Sequence, residues 1–247
     1  MAISLCVLVV AVLMIGVECF APGRGWPAVT GWWARAIALN TVQITAVFVA
    51  GVAWDRWMLG RSVWNADALG TTWAALIGYL VITFIYYWWH RWRHEVPALW
   101  RLFHQVHHSP QRIEVITSFY KHPAEIVFNS MLSSAILYML VGLGPKSAAL
   151  AITFTGLAEL VYHWNVKTPY WLGFIFQRPE SHCVHHQEDW HRQNFSDLPL
   201  WDMMFGTFHN PREFSRSCGF GPAREQRLLE MLAGKDVSVS EQPAGKT

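Results

Sequence analysis

Between His90 and His108 the sequence places five histidines, at positions 90, 94, 104, 107 and 108. A second box with the same H-x-x-H-H spacing follows at His182, His185 and His186, and His163 stands alone between the two. Neutral imidazole offers one nitrogen to iron, zinc or copper, so histidines clustered at helical spacing point to metal chemistry. Positions i, i+3 and i+4 share a helix face; His90 with His94, and the three members of each box, are therefore expected to converge toward a point. Nine histidines exceed the needs of one ion and suit two metals with four to five ligands each. Chance would supply about 0.03 such boxes in a chain of this composition, and two are present, so a shared site outweighs unrelated polar side chains. His122, just ahead of Pro123, is a weaker ligand candidate, equally suited to capping a helix. His191 and His209 read as loop residues.

The elements that must carry these histidines are apolar. Hydrophobic residues make up 53% of the chain and charged ones 15%, against about 25% charged in an ordinary soluble domain. Uncharged runs cover residues 2–17, 36–54, 71–89, 126–144 and 147–162, the last interrupted only by Glu159. The first has no basic stretch before it and no small-residue cleavage site, so it reads as a membrane helix rather than a signal peptide. The third would span about 28 Å as a helix, the thickness of the hydrocarbon layer. It ends in Tyr86-Tyr87-Trp88-Trp89, an interfacial aromatic belt, directly before His90. Gly142, Gly144 and Pro145 turn the fourth run back as the fifth, which returns the chain to His163. Every histidine group then falls on one side of the membrane. Arg91, Arg93, Arg101, Arg112 and Lys121 share that side while the hairpin tip carries only Lys146, so the positive-inside rule makes it cytoplasmic. Residues 170–176 are apolar but too short to span.

The expected fold is all-α: an integral, multi-pass membrane bundle of about four to five transmembrane helices with a cytoplasmic histidine-rich helical cap. Residues 1–70 would form the N-terminal transmembrane helices and a loop, 71–212 a catalytic domain. Residues 213–247 read as a polar tail with a short helix near Leu228 and a disordered end.

Other chemistries find little support. A net charge of +2 and the lack of a basic, aromatic stripe exclude a nucleic-acid partner. Cys6, Cys19, Cys183 and Cys218 form neither a disulfide framework nor a CxxC knuckle, and Cys183 reads as a small packing residue. His94-Glu95 begins like a zinc-protease HExxH motif, but the second histidine position is Ala98. Carboxylate di-iron bundles need two Glu-x-x-His pairs, which are missing here. A zinc-dependent membrane hydrolase would need fewer histidines and a general-base glutamate. A metal transporter would place its ligands near the bilayer midplane rather than beyond helix ends.

The boxes, taken with their surroundings, resemble the fatty acid hydroxylase/sterol desaturase superfamily of membrane histidine-box oxygenases. The residues that carry the resemblance begin with His90-Arg-Trp-Arg-His94, Leu99-Trp-Arg-Leu-Phe-His104-Gln-Val-His107-His108-Ser109 and Phe119-Tyr-Lys-His122-Pro-Ala-Glu125. They continue with His163-Trp-Asn165 and Pro179-Glu-Ser-His182-Cys-Val-His185-His186, then Asn194-Phe195 and Leu200-Trp-Asp202-Met-Met-Phe205-Gly-Thr-Phe208. The resemblance implies two iron ions, O2 as co-substrate, and hydroxylation or desaturation of a lipid such as a fatty acyl chain or sterol drawn from the bilayer. It also implies a separate electron donor of ferredoxin or cytochrome b5 type with its reductase. Glu159, Asn194 and Asp202 are then candidates to hydrogen-bond the ligand imidazoles from behind.

Overall fold

The computed structural model describes residues 2–239, with side chains from residue 7. Among the described residues there is no strand, only an isolated bridge between Gln187 and Cys218. Five long helices form the body: α1 (Ala2–Phe20), α2 (Trp32–Ala53), α3 (Thr71–Glu95), α4 (Pro123–Ser134, continued in π-helical form over Ala135–Leu140) and α5 (Pro145–His163). Trp32–Met58, Thr71–Glu95 and Pro123–Leu140 are long and apolar enough to cross a membrane, and Val7–Phe20 is a shorter apolar helix. These helices expose Val12, Phe48, Val52 and Trp73 at 60% or more, a surface suited to lipid rather than water.

Helix α3 outlasts its apolar run. It continues through Glu95, helped by an Arg91–Glu95 pair at i,i+4, and therefore carries His90 and His94 on its own final turns. It stops because Val96 precedes Pro97 and is pushed to an extended conformation, φ −104° and ψ 111°. Helices α4 and α5 each begin with proline in the first turn, where its missing N–H costs nothing.

Helices α3 and α5 pack along much of their length through small residues. Ala74, Ala75 and Gly78 on α3 meet Ala148 and Ala151 on α5, which lets the backbones approach. A Cβ at Gly78 would lie 2.7 Å from Leu143 Cδ1 and 3.4 Å from Ala151 Cβ, so a side chain there would displace the Leu143 side chain. At the turn between α4 and α5, Gly142 has φ +75° and a Cβ there would meet Trp64 O, so only glycine fits. Packing of α1 on α5 and of α2 on α4 completes the bundle. The outcome is that the C-terminal turns of α3 and α5 and the first turn of α4 meet at one end.

That end is closed by short segments. Trp32, Ala36 and Leu39 of α2 share a core with Trp100, Val106, Tyr120, Phe220, Met231 and Val237. The stretch after residue 212, polar in composition, thus anchors through three fully or almost fully buried apolar side chains, and its short helix is Leu228–Leu232. The disordered end expected beyond it falls largely on residues 240–247, outside the described residues. Tyr170–Phe174 is one 3-10 stretch, and Trp171 and Phe174 within it and Ile175 and Phe176 after it are exposed.

Candidate metal centre

Four pieces of chain bring the nine histidines together. The last turns of α3 supply His90 and His94. A π-helical turn, Trp100–His104, runs into the short helix Gln105–His108 and presents His104, His107 and His108. The last residue of α5 is His163, and helix α6 (Pro179–His185) supplies His182 and His185, with His186 as its cap.

They form two groups: His90, His94, His104, His108 and His185 in one, and His107, His163, His182 and His186 in the other. Within each group the candidate ligand atoms lie within 4.8 Å of one another. The convergence expected of each box is therefore corrected. His104 and His108 stay together while His107 crosses to the other group, and His182 and His186 stay together while His185 crosses in return. Helical geometry explains the split: i+4 falls about 40° to one side of i and i+3 about 60° to the other, so adjacent ring directions diverge by about 100°. The groups touch where His108 and His186 stack, ring centroids 4.2 Å apart and 14° from parallel.

The donor atoms fit metal ions. His182 Nε2 is 3.0 Å from both His163 Nε2 and His186 Nε2. Bonds of about 2.1 Å at right angles to each other would hold nitrogens about 3.0 Å apart. His90 Nε2, His94 Nδ1 and Nε2, His104 Nε2, both His108 nitrogens and His185 Nε2 are buried with no hydrogen-bond partner, an arrangement that costs free energy unless something binds them. Burial also holds His104, His107, His108, His182 and His186 well below the ordinary imidazole pKa, and His185 is pushed down to about 3. Neighbouring imidazoles, and Arg93 beside His104, add to the effect. All six are neutral at pH 7, the form that ligates.

The second ring nitrogens are held mainly by backbone. Nδ1–H of His90 donates to Phe195 O at 2.7 Å, that of His185 to Gln193 O at 2.8 Å, and that of His163 to Glu159 O at 2.9 Å. His107 Nδ1 faces Tyr120 O at 3.4 Å. Such bonds fix the tautomer with Nε2 free. Of the three expected supporting residues, none has a side-chain hydrogen bond to a ligand ring. The Glu159 carboxylate pairs with Lys121, and only its carbonyl serves His163. Asp202 accepts from the N–H groups of Phe195 and Ser196 and from the Thr207 hydroxyl, so it shapes the loop that holds His90. Asn194, at φ +58°, ties Ser181 O to the backbone of His209.

Reading by residue type missed Gln177, whose amide lies 3.3 Å from His182 Nδ1, and the buried pair Arg93 and Glu125 beside His104. A carboxylate in the first turn of an otherwise apolar helix was the available signal for Glu125. His122 is a cap: its Nδ1 accepts from Ala124 N and its Nε2 faces Leu232 O. His209 is exposed, and His191 lies outside both groups, its ring 4.9 Å from that of His108. Cys183 is a buried thiol packed with Ile113 and Cys218.

Residues 75–207 match the family model described as fatty acid hydroxylase. The chain belongs to that family. Among its relatives, the sphingolipid C4-hydroxylase sur2 of Schizosaccharomyces pombe is 28% identical over 51% of this chain and 44% of its own. The ornithine lipid hydroxylase OlsE of Rhizobium tropici is 34% identical over 80% of this chain and 57% of its own, and the alkylglycerol monooxygenase of Danio rerio 33% over 70% and 37%. The chain thus spans between 37% and 57% of the length of these relatives. No solved structure matches it.

Proposed function

We propose that this chain is a membrane-bound, O2-dependent di-iron oxidoreductase that hydroxylates or desaturates a lipid such as a fatty acyl chain or a sterol. The observation that carries the reading is the gathering of nine histidines into two adjoining groups inside the segment matched to the family. The relatives' names, a sphingolipid hydroxylase, an ornithine lipid hydroxylase and an alkylglycerol monooxygenase, support lipid as the substrate class. Adding oxygen or removing hydrogen is a redox change that zinc does not undergo, which favours a redox-active metal such as iron over zinc.

His90, His94, His104, His108 and His185 would hold one ion, and His107, His163, His182 and His186 the other. Two irons, when bound, would supply O2 activation and the oxidising power directed at an unactivated C–H bond. The residues around them set the conditions. Backbone carbonyls of Gln193, Phe195 and Glu159 hold the rings in one tautomer, and burial of seven of the nine histidines excludes water. Because imidazoles carry no charge, these ligands leave the positive charge of the ions uncompensated by the donor set.

Helices α2, α3 and α4 are long and apolar enough to cross the bilayer, and with α1 and α5 they would make a bundle of about four to five spans. Arg91, Arg101, Arg112 and Lys121 at the histidine end favour the cytoplasmic side for it. A separate ferredoxin- or cytochrome b5-type donor with its reductase would then reach the site from solution. The purified chain is expected to hold about two irons and, given reductant and labelled O2, to convert a membrane lipid to a product with one labelled oxygen more or two hydrogens fewer. A chain holding one zinc and hydrolysing lipid without O2 would overturn the reading.

A further inference from the structure

The two groups differ in what stands behind them. His104 Nδ1 lies 3.3 Å from Glu125 Oε1 and 3.1 Å from Arg93 Nη1, and Arg93 pairs with the same carboxylate oxygen. Glu125 is wholly buried, and Arg93 and His104 are no more than 4% exposed. A guanidinium can only donate, so Arg93 alone beside Nδ1 would favour the tautomer with its proton on Nε2, which cannot ligate. Glu125 reverses that preference. Its carboxylate accepts the Nδ1–H, occupies Arg93, and leaves the partnerless Nε2 with its lone pair free. Among the described residues no carboxylate hydrogen-bonds a member of the group of four. There His107 and His163 meet backbone carbonyls, His182 meets the Gln177 amide, and the nearby Glu159 carboxylate is taken by Lys121.

We propose that Glu125, held by Arg93, is a positioning residue that fixes His104 in the ligating tautomer and makes the five-histidine group the anion-supported one of two unequal metal sites. The proposal rests on the reading that both groups hold metal. In a buried, weakly polarisable setting, an anion hydrogen-bonded to one ligand raises that ligand's basicity and favours the more positive ion beside it.

The test is a Co2+ titration of the full, metal-stripped chain in detergent, followed by visible absorption, with His107→Ala assigning the step that belongs to the group of four. Wild type is expected to bind in two steps. Glu125→Gln should weaken the step of the five-histidine group about 10–100-fold and leave the other unmoved, with Glu125→Asp recovering part of the loss. In a His104→Ala chain, Glu125→Gln should have no further effect on either step. If Glu125→Gln does not fold, the Arg93→Gln/Glu125→Gln double variant removes the ion pair without stranding a charge and is read by the same criterion. Equal weakening of both steps, no weakening of either, or a further loss in the His104→Ala chain overturns the proposal. Wild type that binds fewer than two ions overturns the functional reading itself, whereas two ions bound in one step, or in two steps indifferent to Glu125, overturn only this proposal.

Discussion

The larger histidine group draws His90 and His94 from one helix, His104 and His108 from one box, and His185 from the other box. The smaller draws His182 and His186 from their own box, His107 from the opposite one, and His163 from the end of α5. Neither group can form without both boxes, so the centre is one unit assembled from segments far apart in sequence. The difference lies in the third contributor. Helix α3 brings two ligands together with the Arg93 that engages Glu125, while α5 brings one ligand held only by its own backbone. The larger group should therefore be the more redundant, and the smaller the more easily emptied.

Acid should act on both groups together and most severely. Burial holds their imidazoles neutral, so between the unfolded pKa of about 6.5 and the lower folded values the unfolded chain binds protons that the folded chain refuses, and stability falls as pH drops. Metal release in step with the loss of helical circular dichroism is expected as pH falls from about 6.5 toward 3, the value to which His185 is pushed. Metal leaving one group while the fold persists would separate what the crossed boxes join. Next come the crossing histidines themselves. His107→Ala takes one of four ligands and should cut metal content to about one ion per chain and turnover more than about 100-fold. His185→Ala takes one of five and should lower turnover while retaining more metal by elemental analysis. Equal metal loss in the two variants would remove the asymmetry.

Smaller effects sharpen it. Gln177→Ala removes an amide N–H that faces His182 Nδ1 and opposes its ligating tautomer, so a metal titration should show the smaller group binding no more weakly and the larger unmoved. His122→Ala should leave metal content unchanged and lower stability by about 1 kcal/mol in chemical unfolding, the cost of a lost helix cap. Loss of an ion on that substitution would return His122 to the ligand set.

The nine histidines are legible because residue type and short-range spacing both report on ligation. Their division into groups is not, because it depends on which way rings point around a helix and on a π-helical turn at Trp100–His104 that spacing alone does not announce. The supports were read least well. Polar residue type singled out Glu159, Asn194 and Asp202, yet backbone carbonyls do most of the work, and any residue can supply a carbonyl. The apolar runs located the helix bodies, but α3 runs on through His90 and His94 because a charged, amphipathic turn packed against other chain segments remains a good helix. The stretch after residue 212 misled through composition: three buried side chains, Phe220, Met231 and Val237, suffice to dock a segment whose average is polar.

That docking bears on how the protein is made. The Trp100 ring packs against those of His94 and His108 on one side and that of Phe220 on another, within a core that also holds Met231 and Val237. Synthesis proceeds from the amino end, so all nine histidines leave the ribosome before the wall behind Trp100 exists. Closure of the centre is then a late step of biogenesis, and a nascent chain that stalls short of Met231 would present open imidazoles to whichever cation arrives first.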